Sequence, residues 1–199
     1  AEALHGARAA HRFPGLAANE AFCLALARAV GLDAVDAEWR EVQGRPYLLV
    51  SRYDRATDGD SVRRLHQEDF AQALGVPSNR KYAAEGGPVF RDCFALLREA
   101  TARPALEVLK LVDAAIFNII IGNADAHAKN FSLLRQEGGG RSIVLAPLYD
   151  LVATVMWKEL APRFAMTFGG AGSHVAVSAH VLGRVLDPTI GPGLLGWMP

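Results

Sequence analysis

Two hydrophobic periods run along this chain, one near 3.6 residues and one of two, and they divide it into segments. Ala1 to Arg12 carries neither period and reads as a frayed start. Phe13-Pro-Gly-Leu16 is a turn, and Asn19 is placed to cap a helix from Glu20 to Val30. Phe22, Leu24, Ala25, Ala27 and Val30 give that helix its buried face, and Gly31 ends it. The period then shortens. Trp39 to Val42 and Tyr47 to Tyr53 are predicted strands joined by the turn Gln43-Gly44-Arg45, an antiparallel hairpin. Asp54 to Asp60 is a polar loop and a plausible boundary between a small β-containing part and a helical remainder.

Beyond that loop, Gln67 to Leu74 is predicted as a short helix stopped by Gly75-Val-Pro77, and Lys81 to Gly87 as a second loop. Helices are expected over Val89 to Glu99 and Leu106 to Ile121. The second is apolar nearly all round (Leu106, Leu109, Val112, Ile116, Phe117, Ile119, Ile120), which predicts a buried central helix. Phe131 to Leu134 and Ile143 to Leu145 read as short strands around a glycine-rich turn. From Asp150 onward the pattern weakens, and Gly169 to Gly172 and Gly191 to Pro199 look like loops. Division is expected into residues 1–55, a partial upper lobe, and 56–199, a helical lower one.

Composition adds mainly exclusions. The chain has 199 residues with 21 basic and 21 acidic side chains, so no net charge points it to nucleic acid or an anionic membrane. No apolar run approaches the roughly 18–20 residues of a membrane span, and no signal peptide opens the chain, which fits a cytoplasmic location. Cys23 and Cys93 lie far apart in apolar contexts and read as buried thiols rather than a disulfide. His174 and His180 lack partners at zinc-ligand spacing. Trp39, Trp157 and Trp197 are expected to be packing residues.

One run carries chemistry. Asn123-Ala-Asp-Ala-His-Ala-Lys-Asn130 follows the apolar helix, and Asp150 follows the hairpin after it. Phosphoryl transfer from ATP asks of a protein mainly a carboxylate for the attacking hydroxyl and oxygen ligands for magnesium. Asp125 can be the carboxylate, Asn130 and Asp150 the ligands, with His127 or Lys129 supporting a phosphate. The same spacing also describes an Asx-rich turn whose side chains bond the backbone. On spacing alone the two readings weigh equally.

Four segments in order tip the balance: Phe13-Pro-Gly-Leu-Ala-Ala-Asn-Glu-Ala-Phe-Cys23, Leu48-Leu-Val-Ser-Arg-Tyr-Asp-Arg55, Leu65-His-Gln-Glu-Asp-Phe-Ala-Gln-Ala-Leu-Gly75 and Asn123 to Ser132. Together they resemble the HipA family, the serine/threonine-kinase toxins of bacterial toxin–antitoxin modules. The resemblance implies an α+β, protein-kinase-like fold, with a hairpin-containing upper part and a mainly helical lower lobe. It implies Asp125 as catalytic residue, with His127 and Lys129 in the same loop, and Asn130 and Asp150 as ligands of magnesium. Val50, Ser51, Arg52 and Tyr53 match the hinge whose backbone holds the adenine of ATP. Glu20 matches an acidic residue that pairs with an ATP-binding lysine.

The implied substrate is a protein; in the family the best-known target is an aminoacyl-tRNA synthetase, that for glutamate. The implied partner is a helix-turn-helix antitoxin, with DNA reached only through it. Two departures stand out. The family's Gly-rich phosphate loop and ATP-binding lysine precede the Phe-Pro-Gly-Leu motif, where this chain has Ala1 to Arg12 without a lysine, and Ser51 replaces a hinge Glu. These departures fit a fragment or shortened member, and an alternative reading is a catalytically impaired, kinase-shaped module that engages an antitoxin. Asp54 and Arg55 either contact the nucleotide or, the favoured reading, tie the hinge to the lower lobe by an ion pair; Glu68 and Asp69 read as helix-capping residues, in a motif from His66 that the resemblance also places near the nucleotide cleft.

Overall fold

The structure is a computed structural model, and it describes residues 13–136, 143–160, 163–168 and 171–173. Helix α1 (Leu16–Ala29) opens the described fold. Gly15 precedes it at φ 80° and starts the helix without a side-chain cap. Asn19 therefore lies inside the helix rather than at its cap. Its amide reaches across the molecule instead, where Oδ1 accepts from the Ala153 N–H at 2.8 Å. Only part of the expected apolar face is buried: Cys23, Leu24 and Ala27 are inside, whereas Phe22, Ala25 and Val30 are exposed. The helix packs against the hairpin on one side and its buried residues enter the common core, so the rest of the predicted face stays outside.

That hairpin is β1 (Ala37–Val42) with β2 (Arg45–Val50), joined by Gln43-Gly44, both at positive φ as a type I′ turn requires. Trp39, expected to be a packing residue, is half exposed on it. A second hairpin, β3 (Arg55–Asp58) with β4 (Ser61–Arg64), replaces the polar loop expected over Asp54 to Asp60. Gly59 at positive φ makes its two-residue turn possible. The predicted helix from Gln67 splits in two. Gln67–Asp69 is strand β5, and helix α2 is only Phe70–Ala73, begun by a reciprocal cap between Asp69 and Gln72. Pairing of β5 with β6 claims the first three residues for the sheet, while Asp69 is the capping residue the sequence suggested.

Helices α3 (Phe90–Ala100) and α4 (Pro104–Ile121) pack together, followed by β6 (Ser132–Arg135), β7 (Ile143–Leu145), β8 (Arg163–Phe168) and β9 (Ala171–Ser173). Strands β5, β6 and β7 form one antiparallel sheet in that order, and β8 pairs with β9. The expected loop over Gly169 to Gly172 is thus partly strand, since Ala171 and Gly172 belong to β9; Gly169 and Gly170, like the tail from 174, lie outside the described residues. Helix α4 is not buried all round. It buries Leu111, Ala114, Ala115 and Phe117, but Leu106, Leu109, Ile116 and Ile120 stay exposed on its other face among the described residues.

One core joins both parts. Leu24 and Ala27 of α1 and Val35 pack in the same cluster as Phe70, Leu97, Leu111 and Leu148. Backbone pairing of Val35 with Leu148 and of Leu148 with Asp33 fastens the start of the hairpin segment to the stretch that carries Asp150. Cys23 and Cys93 are free and buried, and burial pushes the Cys93 thiol up to about 12. No helix among the described residues is long and apolar enough to cross a membrane.

Candidate active site

The loop after α4 is set by how that helix stops. Gly122 sits at φ 73°, and a Cβ there would come within 2.6 Å of Val155, so both backbone and neighbour require glycine. Buried Asn118 and Asn123 then lock the exit. Asn123 Nδ2 donates to Asn118 Oδ1 at 2.8 Å, and Asn123 Oδ1 accepts from the Asp125 N–H at 3.1 Å. Thr154 ties the loop from the other side, accepting from the Ala124 N–H at 2.7 Å and donating to the Gly122 carbonyl. A short 3-10 turn, Ala128–Asn130, ends the loop.

This scaffold brings Asp125, Asn130 and Asp150 to one recess of about 540 Å³, also lined by Asn123 and Tyr82. Asp125 is exposed, and its Oδ1 accepts from the Tyr82 hydroxyl at 2.9 Å. Asn130 is buried. Its Nδ2 donates to Asp150 Oδ2, leaving Oδ1 buried without a hydrogen-bond partner. Asp150 adopts φ 56°, a conformation non-glycine residues seldom take and one that aspartate tolerates better than most. Its residue surface is largely open, yet the carboxylate itself is crowded. Burial first, and then the charge of Asp125, raise its pKa against the opposing pull of His127, Asn130 and Lys81.

Glu20, on α1, faces the same carboxylate. Burial, and secondarily Asp150, push its pKa up to about 7, and among the described residues no hydrogen bond or ion pair reaches its carboxylate. The site thus gathers acidic oxygens with too little positive charge between them. A lysine partner for Glu20 is not among its described neighbours.

A second recess, about 580 Å³, lies along Val50, Ser51, Arg52, Tyr53 and Asp54, with Lys129, Ser132 and Tyr149 opposite. Val50 to Tyr53, the segment expected to be the hinge, thus lies beside Lys129 of the loop after α4. The Ser51 N–H is already used, donating to the Asp36 carbonyl at 2.8 Å. Arg52 and Arg55 both pair with buried Asp54, a local cluster rather than the expected ion-pair tie to the lower lobe. Tyr149 closes the far wall: it stacks near Tyr53 at 6.2 Å and donates to the Lys129 carbonyl at 2.9 Å. Chain neighbours alternate between the recesses. Asn130 and Asp150 line the acidic one, and Lys129 and Tyr149 line the hinge one.

Lys129 is therefore on the hinge side, away from Asp125. His127 is buried next to Asp125, and its ring meets Lys81 Nζ at 3.1 Å through Nε2. Lys81 and Tyr82 were not expected to contribute, since their segment reads as a plain loop. The available signal is an aromatic–cation pair held in a glycine-bounded loop, which marks rigid rather than idle loops. Among the described residues no three His, Cys, Asp or Glu side chains are placed to share a metal. The donor set that does converge is two carboxylates and an amide oxygen, and the orphaned Asn130 Oδ1 fits a hard, oxygen-seeking cation such as magnesium.

The model of the HipA-like C-terminal domain family matches residues 4–187. A Sinorhizobium fredii protein named "Putative kinase Y4mE" is 58% identical over 159 residues, covering 79% of this chain and 37% of its own. The serine/threonine-protein kinase toxin HipA of Shewanella oneidensis is 27% identical, covering 88% of this chain and 43% of its own. The chain thus spans well under half the length of these relatives. Among solved structures, the Shewanella oneidensis HipA in complex with HipB and operator DNA superposes with a TM-score of 0.78 at 26% identity, over 90% of this chain and 44% of that one. The Helicobacter pylori proinflammatory kinase CtkA shares the fold at a TM-score of 0.54 and 13% identity, over 71% of this chain and 47% of that one. Its fold is therefore kinase-like, and the chain belongs to the HipA-like C-terminal domain family.

Proposed function

We propose that this chain carries the phosphotransfer site of a HipA-like serine/threonine protein kinase that uses ATP and magnesium. The observation that supports it best is the convergence of Asp125, Asn130 and Asp150 on one recess, with a buried amide oxygen left without a partner. On this reading residues 1–55 contribute upper lobe and hinge, and 56–199 the lower lobe. Val50 to Tyr53 lie along the adenine end and the acidic recess takes the phosphates. Asn130 and Asp150 would hold magnesium, with Glu20 beside them. When bound, the metal neutralises charge on the phosphates.

Asp125 then orients the hydroxyl of a protein serine or threonine and accepts its proton. The hydroxyl oxygen bonds to the γ-phosphorus as the bond to the β–γ bridging oxygen breaks, and ADP leaves with that electron pair. The relatives' names support a toxin role, and the HipA–HipB–DNA complex supports a small antitoxin as partner, with DNA reached through it. An aminoacyl-tRNA synthetase is the substrate class the family resemblance suggests.

Thermal melting with ATP tests the reading. Magnesium-dependent stabilisation is expected, about 2.7 kcal/mol at a hundredfold excess over Kd. Asp150→Asn should weaken it, and Asp125→Asn should abolish phosphotransfer while sparing nucleotide binding. If ATP never stabilises the fold at any magnesium concentration, the reading fails. Nucleotide binding without transfer by the unaltered chain, together with tight antitoxin binding, would instead favour the kinase-shaped binding module.

A further inference from the structure

Two residues of the loop between α2 and α3 reach the catalytic loop in a way its own sequence does not account for. The Tyr82 hydroxyl donates to Asp125 Oδ1 at 2.9 Å, which leaves Oδ2 without a hydrogen bond among the described residues on the recess side. Lys81 Nζ lies 3.1 Å from His127 Nε2 and 4.8 Å from the centre of the Tyr82 ring, and the Tyr82 and His127 rings meet edge to face at 5.8 Å. An ammonium group has no lone pair, so it must donate. His127 is therefore the acceptor and is held neutral with its proton on Nδ1, an atom that is itself buried and unpartnered. Burial alone would lower the Lys81 pKa, but Tyr82, Asp125 and Asp150 outweigh it and the group stays charged.

The loop is constructed to hold this pair. The Tyr82 carbonyl accepts from the N–H groups of Glu85 and Gly87, both at 2.9 Å. A Cβ on Gly87 would lie 2.4 Å from the Arg80 carbonyl oxygen, so the chain can close behind Lys81 and Tyr82 only with glycine there. Within the site the sequence offered Lys129 as the supporting cation, but Lys129 lines the hinge recess.

Resting on the phosphotransfer reading above, we propose that Lys81 and Tyr82 are positioning residues of this site. Tyr82 turns the Asp125 carboxylate so that one oxygen is committed and the other is free for the incoming hydroxyl. Lys81 fixes the His127 ring behind it and sets a positive charge beside Asp125 and Asp150. Neither side chain is needed to hold nucleotide, which distinguishes them from Asn130 and Asp150.

Steady-state phosphorylation of dephosphorylated casein by the full chain, with ATP varied, tests this. Tyr82→Phe removes one hydrogen bond to a charged group, so kcat is expected to fall about 10- to 100-fold. The KM for ATP and the melting temperature should stay near wild type. Lys81→Met should act in the same direction, Lys81→Arg should recover part of the loss, and Arg91→Gln, an exposed change on α3 away from both recesses, should leave kcat within about threefold. If either Lys81→Met or Tyr82→Phe lowers melting temperature and kcat together, MgADP affinity decides: unchanged affinity supports positioning, and a parallel loss overturns it. Unchanged kcat in Tyr82→Phe, or a loss in Arg91→Gln as large as in Lys81→Met, overturns the inference alone. A wild-type chain that binds MgATP and transfers nothing removes it together with the parent reading.

Discussion

Glu20 shows how a single residue reports on what the site is built to receive. It sits on α1, partly buried, facing a second carboxylate rather than a base. Its folded pKa of about 7 lies above the ordinary 4.5, so the folded state holds the extra proton. The stabilising contribution is therefore complete below about pH 4.5 and is lost as pH rises through about 7. Without metal, the chain is expected to lose on the order of 1–2 kcal/mol across that window from this group, after discounting for its partial exposure. Glu20→Gln should flatten the dependence and leave the variant the more stable form at pH 8. Urea titrations in EDTA at pH 4, 6 and 8 measure it. Two parallel curves would show that Glu20 is not the group responsible.

Among elements, α4 and the hairpins mark the limits of reading sequence. The turn was legible as Gln43-Gly44-Arg45, one residue longer than the Gln43-Gly44 turn found, because a glycine sits between two β-prone runs. The hairpin over Arg55 to Arg64 was not, because β4 is exposed throughout and has no buried face to impose alternation; its only signal was Gly59 beside two aspartates. Helix α4 failed in the opposite direction. Its apolar circumference was read as burial, but a helix packed on one side leaves the other half outside whatever its composition. The expected energetic contrast is sharp. Ile120→Lys, at a residue 74% exposed, should change stability by no more than about 0.5 kcal/mol. Phe117→Ala, one turn earlier and buried, should cost about 3–5 kcal/mol. Chemical denaturation of both variants checks this, and a large loss in Ile120→Lys would mean that this face is covered. The shared recess of Asp125, Asn130 and Asp150 was legible for a different reason: the three are close enough in sequence, or returned by a short hairpin, for spacing to imply that they meet. Lys81 and Tyr82 come from more than 40 residues away, and only packing brings them there.

For the whole molecule, the question is whether the small upper part and the helical lower part behave as separate units. Their shared core says they do not. Leu24 on α1 and Leu97 on α3 are both fully buried and lie in one apolar cluster, and the backbone pairing of Val35 with Leu148 crosses between the parts. The same pairing precedes Asp150, so the segment presenting that carboxylate is anchored by residues from the upper part. Loss of that packing should release the site as well as the fold. Leu24→Ala and Leu97→Ala are each expected to cost about 2–5 kcal/mol. Because the core is common, both should lower one cooperative transition, with fluorescence and circular dichroism giving coincident curves and unchanged denaturant slope. A boundary near residue 55 that separated independent units would instead give two transitions, with Leu24→Ala moving only one of them. The coupling also has a functional form: Leu24 does not line the acidic recess, yet Leu24→Ala should weaken magnesium–ATP binding in proportion to the fraction of chains it unfolds, and no further.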